Sequence, residues 1–187
     1  TLAITSPKRG EGKTLVASNL AVSFALGSRT NNILVDLNVA NPRLHQIFGV
    51  PKSPGLAEAF LNGQICVSRT AIDNLAVLPL GNFPVRREEP VLMVNGVPES
   101  PVPFLGLEQL AAFRDVIYSL EQEFDLIIVD MPSINTESVP VLFANQLNGV
   151  IVVIDSGRTR REEVDAMFHN LNERQVLGFV FNRFSSE

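Results

Sequence analysis

Apolar residues fall along this chain in two patterns, short unbroken runs and stripes at helical spacing. The runs are Leu2–Ile4, Ile33–Val35, Leu75–Leu80, Leu126–Val129, Val150–Ile154 and Val176–Phe181. Runs this short, rich in Val, Ile and Leu, predict strands buried on both faces. Between them, Val16, Leu20 and Phe24 recur at helical spacing, with Gly27 as the helix stop. Leu110, Phe113, Ile117, Leu120 and Phe124 form a longer stripe, which predicts a helix over Leu107–Glu123. Val164, Met167, Phe168 and Leu171 mark the buried face of a later helix, for which Thr159 and Glu162 predict a capping box. Pro51 to Gly63 reads as a turn and a short helix with Leu56, Ala59 and Phe60 facing inward. Gly81 to Pro103 is rich in Pro and Gly and carries Arg86-Arg87-Glu88-Glu89. It predicts a surface excursion in which Val91–Val94 packs as a short element.

Unbroken apolar strands alternating with amphipathic helices imply an α/β domain: a mostly parallel β-sheet with helices on both faces. In such sheets ligands bind beyond the carboxyl ends of the strands. Chemistry is therefore expected at the polar residues that end strands: the Ser6–Thr14 loop, Asp36, Asp130 and Asp155.

The first of these is the most informative. Ser6-Pro7-Lys8-Arg9-Gly10-Glu11-Gly12-Lys13-Thr14 follows a strand and runs straight into a helix. Loop amides and the positive end of a helix then point at one spot, which is how proteins bind phosphates. Gly10 and Gly12 let the backbone wrap closely because they lack a Cβ. Lys13 reaches β- and γ-phosphates in such loops, and the Thr14 hydroxyl ligates Mg²⁺. The P-loop pattern G-x-x-x-x-G-K-[ST] is broken at its first glycine by Pro7. The stretch fits the deviant Walker A form K-G-G-x-G-K-[ST], with Lys8 at its head and Arg9 in place of one glycine. The candidate ATP- or ADP-binding segment is Lys8, Arg9, Gly10, Glu11, Gly12, Lys13, Thr14 and Leu15.

A nucleotide bound with Mg²⁺ calls for one or two carboxylates besides phosphate oxygens and water. Asp130 ends an apolar strand in the Walker B manner, and Asp36 ends the strand that follows the loop helix. Each can equally be a turn or cap aspartate. Two of them, each on an apolar strand behind a phosphate loop, favour a metal and catalytic role alongside Thr14 and Lys13. Asp155 precedes Ser156-Gly157 and is read as a turn residue.

Composition narrows the field further. The 187 residues suffice for one domain, and 45% apolar content excludes disorder. A net charge of −5 without a basic block argues against nucleic acid as a partner. Cys66 is the only cysteine, so no internal disulfide exists, and it is expected to be a small buried hydrophobe. No apolar stretch is long enough to span a bilayer. Because Thr1 stands at the edge of a strand, the chain is expected to be one P-loop domain, 1–187, cut from a longer protein.

Taken together these segments resemble the bacterial tyrosine kinases (BY-kinases), cytoplasmic modules associated with polysaccharide chain-length control. More distantly, they are similar to the partition and septum-site ATPases. The resemblance rests on Thr1–Pro7 with Gly10–Thr14, on Ile33–Asp36 through Asn41-Pro42-Arg43-Leu44-His45 (Walker A′), and on Ser53-Pro54-Gly55-Leu56 with Leu61-Asn62-Gly63. It extends to Phe124–Pro132 (Walker B) and Leu177–Arg183. It implies ATP with Mg²⁺ as cofactor. Lys13 would hold the phosphates and Lys8 would add charge there. Thr14, Asp36 and Asp130 would hold the metal, with Asp36 as candidate base toward a tyrosine hydroxyl. Asn182 and Arg183 would frame adenine. It also implies self-association, a membrane polysaccharide co-polymerase or fused transmembrane segment as partner, and a place at the inner face of the cell membrane.

Departures from the pattern concentrate at metal and substrate handling. Asn38, Ala40 and Asn41 stand where the family carries a second aspartate and a pair of arginines, and Ser133 replaces the second proline after Walker B. No tyrosine cluster closes the chain, and Tyr118, the one tyrosine, is expected to pack within its helix. Three expectations follow: a tyrosine kinase of exopolysaccharide or capsule biosynthesis, a catalytically weakened nucleotide-binding regulator, or a dimeric switch ATPase with Lys8 acting across the dimer.

Overall fold

The computed structural model describes residues 1–83, 93–94, 97–98, 106–135 and 139–184. In chain order these form β1 (Leu2–Thr5), α1 (Lys13–Ser23), β2 (Asn32–Asp36), α2 (Leu44–Ile47), α3 (Leu56–Asn62), β3 (Ser68–Arg69) and β4 (Leu75–Leu78). There follow β5 (Met93–Val94), β6 (Val97–Pro98), α4 (Glu108–Glu121), β7 (Leu126–Asp130), α5 (Val139–Ala144), β8 (Gly149–Asp155), α6 (Arg161–Phe168) and β9 (Val176–Asn182).

Seven strands make one sheet in the order β3-β4-β2-β7-β1-β8-β9. Every pairing is parallel except that of β3 with β4. Each strand's apolar side chains divide between its two faces, as the period of two requires. Ala3, Ile33, Val35, Ile127, Val129, Val150 and Val152 join one core with α3, α4, α5 and α6 residues. Leu2, Ile4, Leu34, Ile128 and Val153 join the other, beneath α1 and Leu44 of α2. In the first core Phe113 and Phe143 are fully buried and meet edge to face, ring centroids 5.1 Å apart. Burying each such ring contributes roughly 2–3 kcal/mol.

The structure refines several sequence readings. The stripe Val16, Leu20, Phe24 is only partly buried, and Ala17, Ala21 and Ala25 face the sheet instead. The preceding loop sets the helix's rotation, and small side chains let it lie close on β1 and β2. Past Ser23 the helix widens into a π-turn, Phe24–Ser28, and stops at Arg29 in the left-handed region (φ 52°) rather than at Gly27. The helix cap of α6 lies one residue later than expected: Arg160 N–H donates to Glu163 Oε2 at 2.8 Å, and Thr159 is engaged elsewhere. Tyr118 is exposed on α4 rather than packed, and Cys66 is half-buried rather than buried. Helices α2 and α5 have too few periodic residues to have been expected. Within Gly81–Pro103 the hairpin β5–β6 covers part of the expected short element. The Arg86–Glu89 charges lie outside the described residues.

Candidate nucleotide site

β1 is central, flanked by β7 and β8, so its carboxyl end opens between two other strand ends. The loop after it is fastened from both sides. Thr5 Oγ1 donates to the Pro132 carbonyl at 2.8 Å, and Ser6 Oγ to the Lys8 carbonyl at 2.5 Å. Glu11 is buried within the loop, where its carboxylate accepts the Lys8 N–H at 2.9 Å and the Thr159 hydroxyl. Thr159 Oγ1 in turn accepts the Asp155 N–H at 3.1 Å. Gly10 (φ 84°) and Gly12 (φ 96°) take the left-handed conformation that closes the loop. A Cβ on Gly12 would run into the Asn182 amide. That amide donates to the Glu11 carbonyl at 2.9 Å, so Asn182 also clasps the loop.

α1 begins at Lys13 with no acidic residue in its first turn, which leaves its positive end unopposed for an anion. Lys13 is buried, and burial lowers its pKa against the pull of Asp130 and Glu11. Thr14 Oγ1 donates to Asp130 Oδ2 at 2.6 Å. Asp130 and Asp36 stand opposite each other in the parallel register of β7 and β2, both fully buried. Asp36 Oδ1 accepts the Asn38 N–H and its Oδ2 the Leu44 N–H, each at 3.2 Å. Burial, and then the neighbouring Asp130 charge, push Asp36 up to about 8. Burial pushes Asp130 up to about 6, against the opposing pull of the Thr14 hydroxyl and the Lys13 ammonium. The Asn38 amide is near enough to favour the charged form of Asp130, yet Asp130 Oδ1 makes no hydrogen bond of ordinary length.

A buried carboxylate oxygen without a partner, a second carboxylate on the adjacent strand and a hydroxyl between them and the loop are hard oxygen donors. They fit Mg²⁺, which needs few protein ligands when phosphate supplies others. No cluster of three or more His, Cys, Asp or Glu suited to a metal occurs among the described residues, so an all-protein cage is not what this site offers.

The site thus gathers Gly10, Glu11, Gly12, Lys13, Thr14, Asp36, Asp130 and Asn182. Arg9 and Leu15 are exposed beside it. Two expected members turn elsewhere. The Lys8 ammonium pairs with Glu163 Oε2 at 2.8 Å and donates to the Arg158 carbonyl at 3.2 Å. Arg183 Nη1 pairs with Asp155 Oδ2 at 2.6 Å, so Asp155 is an ion-pair partner as well as a turn residue. Sequence reasoning missed Thr159 and Glu163 as loop partners, because the only signal they carried was that of a helix start.

No family model matches the chain. It is 30% identical over 190 residues to a tyrosine-protein kinase CpsD of Streptococcus pneumoniae serotype 4, covering 97% of this chain and 75% of that one. It is 28% identical over 188 residues to a putative tyrosine-protein kinase CapB of Staphylococcus aureus, covering 97% and 74%. Identity is 27% over 188 residues with the succinoglycan biosynthesis transport protein ExoP of Rhizobium meliloti, of which the match spans only 22%. The crystal structure of the chimerical protein CapA2B2 superposes with a TM-score of 0.80 at 27% identity, over 99% of this chain and 76% of that one. The Pyrococcus furiosus cell division ATPase MinD shares the fold, with a TM-score of 0.68 at 23% identity over 98% of this chain and 72% of that one. With a conserved-length match at this identity to CpsD, and the phosphate loop and paired carboxylates in the places described, the chain belongs to the bacterial tyrosine-protein kinase family.

Proposed function

We propose that this chain binds ATP with Mg²⁺ and transfers the terminal phosphoryl group to a tyrosine hydroxyl, in the service of capsule or exopolysaccharide production. The observation that carries this reading is the 2.6 Å bond from Thr14 to Asp130, beside buried Lys13 and in register with Asp36. Lys13 and the loop amides hold the phosphates. Thr14, Asp130 and Asp36 hold the metal, which when bound neutralises charge on the phosphate oxygens. Asp36 accepts the tyrosine proton. Asn182, at the loop's far side, borders the base, and Arg183 reaches it only by leaving Asp155. Phosphoryl transfer depends mostly on positioning and charge neutralisation, which these groups supply.

The names CpsD, CapB and ExoP support a polysaccharide setting. We place the domain at the cytoplasmic face of the membrane, self-associating and working with a membrane co-polymerase or fused membrane segment. No described helix is long and apolar enough to cross a membrane. The test is transfer of labelled phosphate from ATP to a tyrosine-bearing partner. Transfer that Lys13→Met abolishes supports the reading. Equal transfer by Lys13→Met protein, or none by the wild type together with its co-polymerase, refutes it.

Asn38 favours a second reading. It lies beside Asp130, where the family pattern carries an aspartate, so the site holds one negative charge fewer. A nucleotide-binding regulator with weakened catalysis would bind Mg-ADP yet transfer little. Asn38→Asp should then raise turnover and sharpen its Mg²⁺ dependence, and unchanged turnover would count against this reading.

A further inference from the structure

One residue of the phosphate loop runs against the chemistry around it. Glu11 brings a carboxylate into a segment whose amides, with Lys13, attract anions. It is only 2% exposed, although Arg9 and Gly10 just before it are exposed. Burying a charge is costly unless hydrogen bonds satisfy it. A negative charge in this place also repels the phosphates that the loop serves. Glu11 has no part in the proposed transfer that would offset either cost.

Its carboxylate instead holds two donors from separate parts of the chain. Oε2 accepts the Lys8 N–H at 2.9 Å, which closes the loop on itself across three residues. Oε1 accepts the Thr159 hydroxyl from the β8–α6 connection. Thr159 is fixed in its turn, because its Oγ1 accepts the Asp155 N–H at the end of β8 at 3.1 Å. The Glu11 carbonyl accepts the Asn182 amide, at the end of β9, at 2.9 Å. Side chain and backbone of one residue are thus pinned to the carboxyl ends of two strands, neither of which leads into the loop. The residue on either side is a glycine at positive φ, 84° at Gly10 and 96° at Gly12. Glycine takes that conformation without a clash but loses more freedom than other residues when held in it. Glu11 is the side chain between them that does the holding.

We propose that Glu11 is a positioning residue, whose carboxylate presets the curve of the loop before a nucleotide arrives and does so without touching the phosphates. The inference rests on the nucleotide-binding reading of this site, not on transfer to tyrosine. With the Lys8 N–H spent on Glu11, the phosphates fall to the amides at the start of α1, which have no acceptor within their own helix. A loose loop would have to be ordered by its ligand, and that ordering is subtracted from affinity. A loop already tied to β8 and β9 avoids it. A carboxylate suits the task because it offers two acceptor oxygens, one for each donor.

Calorimetric binding of inorganic pyrophosphate and of ADP tests it, under conditions where urea unfolding shows each variant folded. Pyrophosphate carries neither ribose nor base, so it reads the loop alone. Glu11→Gln and Glu11→Ala both remove the charge, so their difference reports the contacts. Glutamine keeps an acceptor for the Lys8 N–H and can donate to the second lone pair of Thr159 Oγ1. Alanine keeps neither contact and should bind both ligands about tenfold or more weakly than glutamine. Thr159→Val should lose part of that factor. Glu11→Ala with Thr159→Val should be no weaker than Glu11→Ala alone, because both break the same link. In the ligand-free chain, hydrogen exchange at the Lys8 amide should quicken about tenfold in the alanine variant and not in the glutamine one. Equal pyrophosphate affinity of the alanine and glutamine variants overturns the proposal, as does wild-type affinity in Thr159→Val, an additive loss in the double variant or unaltered Lys8 exchange. A wild type that binds neither ligand overturns the nucleotide reading as well. The expected pattern without any phosphoryl transfer leaves this proposal standing and removes only the kinase reading.

Discussion

Replacing Asp36 with asparagine should stabilise the nucleotide-free protein at pH 8 and flatten its dependence on pH. Asp36 is fully buried, one strand from the equally buried Asp130. Burial first, and the Asp130 charge second, raise Asp36 from 3.8 to about 8, and burial raises Asp130 to about 6. Folded-state values above the unfolded ones mean that the folded protein holds more protons between about pH 4 and pH 8. Stability should therefore be greatest at the acid end of that window and fall as pH rises through it. Above pH 8 both carboxylates are charged in either state, and the folded protein bears the full repulsion. A rise from 3.8 to about 8 corresponds to on the order of 5 kcal/mol for Asp36. That figure is an upper bound, because the two carboxylates titrate as a pair.

Asparagine removes the charge but has one carbonyl oxygen where aspartate has two. Either the Asn38 N–H or the Leu44 N–H, each now 3.2 Å from an Asp36 oxygen, loses its acceptor. That loss costs about 1–3 kcal/mol. The difference leaves Asp36→Asn more stable than wild type at pH 8 by at most about 2–4 kcal/mol, and equal or slightly less stable at pH 5, where wild-type Asp36 is already neutral. Urea unfolding at pH 5, 6, 7 and 8, without nucleotide or Mg²⁺, measures this through the midpoint at constant slope. A variant with the same pH slope as wild type, or one less stable at pH 8, would refute the reasoning. A divalent cation bound as proposed would relieve the same repulsion between the two carboxylates.

Two further outcomes follow from the loop. Gly12→Ala puts a methyl group at φ 96° and into the Asn182 amide, so it should cost 1 kcal/mol or more, roughly the scale for alanine at a positive φ. It should also weaken ADP binding by calorimetry; wild-type affinity would show that the Asn182 clasp has no part in shaping the loop. Glu163→Gln should release Lys8 toward the phosphates. Because the pair is partly exposed, little stability is at stake. ADP affinity should rise about two- to fivefold at low salt and return to wild type in molar salt. Unchanged affinity in both would leave Lys8 without a role at the phosphates.

The local features were legible before the fold was known. Gly10 and Gly12 announce the loop's left-handed turns by their spacing, since the loop's conformation is set by which residues tolerate positive φ. Strand runs such as Leu126–Val129 are just as plain, because burial on both faces demands unbroken apolar sequence. Helix faces were less so. Val16, Leu20 and Phe24 are the larger side chains of α1, yet the alanines face the sheet, because a backbone tied to the loop cannot rotate to bury bulk. The helical position of Tyr118 predicts a packing role, but it faces solvent on the outer side of α4.

Within the chain's own order of residues lay the phosphate loop, the alternation of strands and helices, and the aspartates that end strands. Those are properties of neighbours a few positions apart, set by φ preference, side-chain period and apolar run length. Contacts between residues far apart in sequence were decided elsewhere. Strand order set Asp36 against Asp130, the β8–α6 loop brought Thr159 to Glu11, and α6 drew Lys8 away to Glu163. Such pairs depend on which strands become neighbours and how helices lie across them. That choice is made by the whole core at once, and no local pattern encodes it.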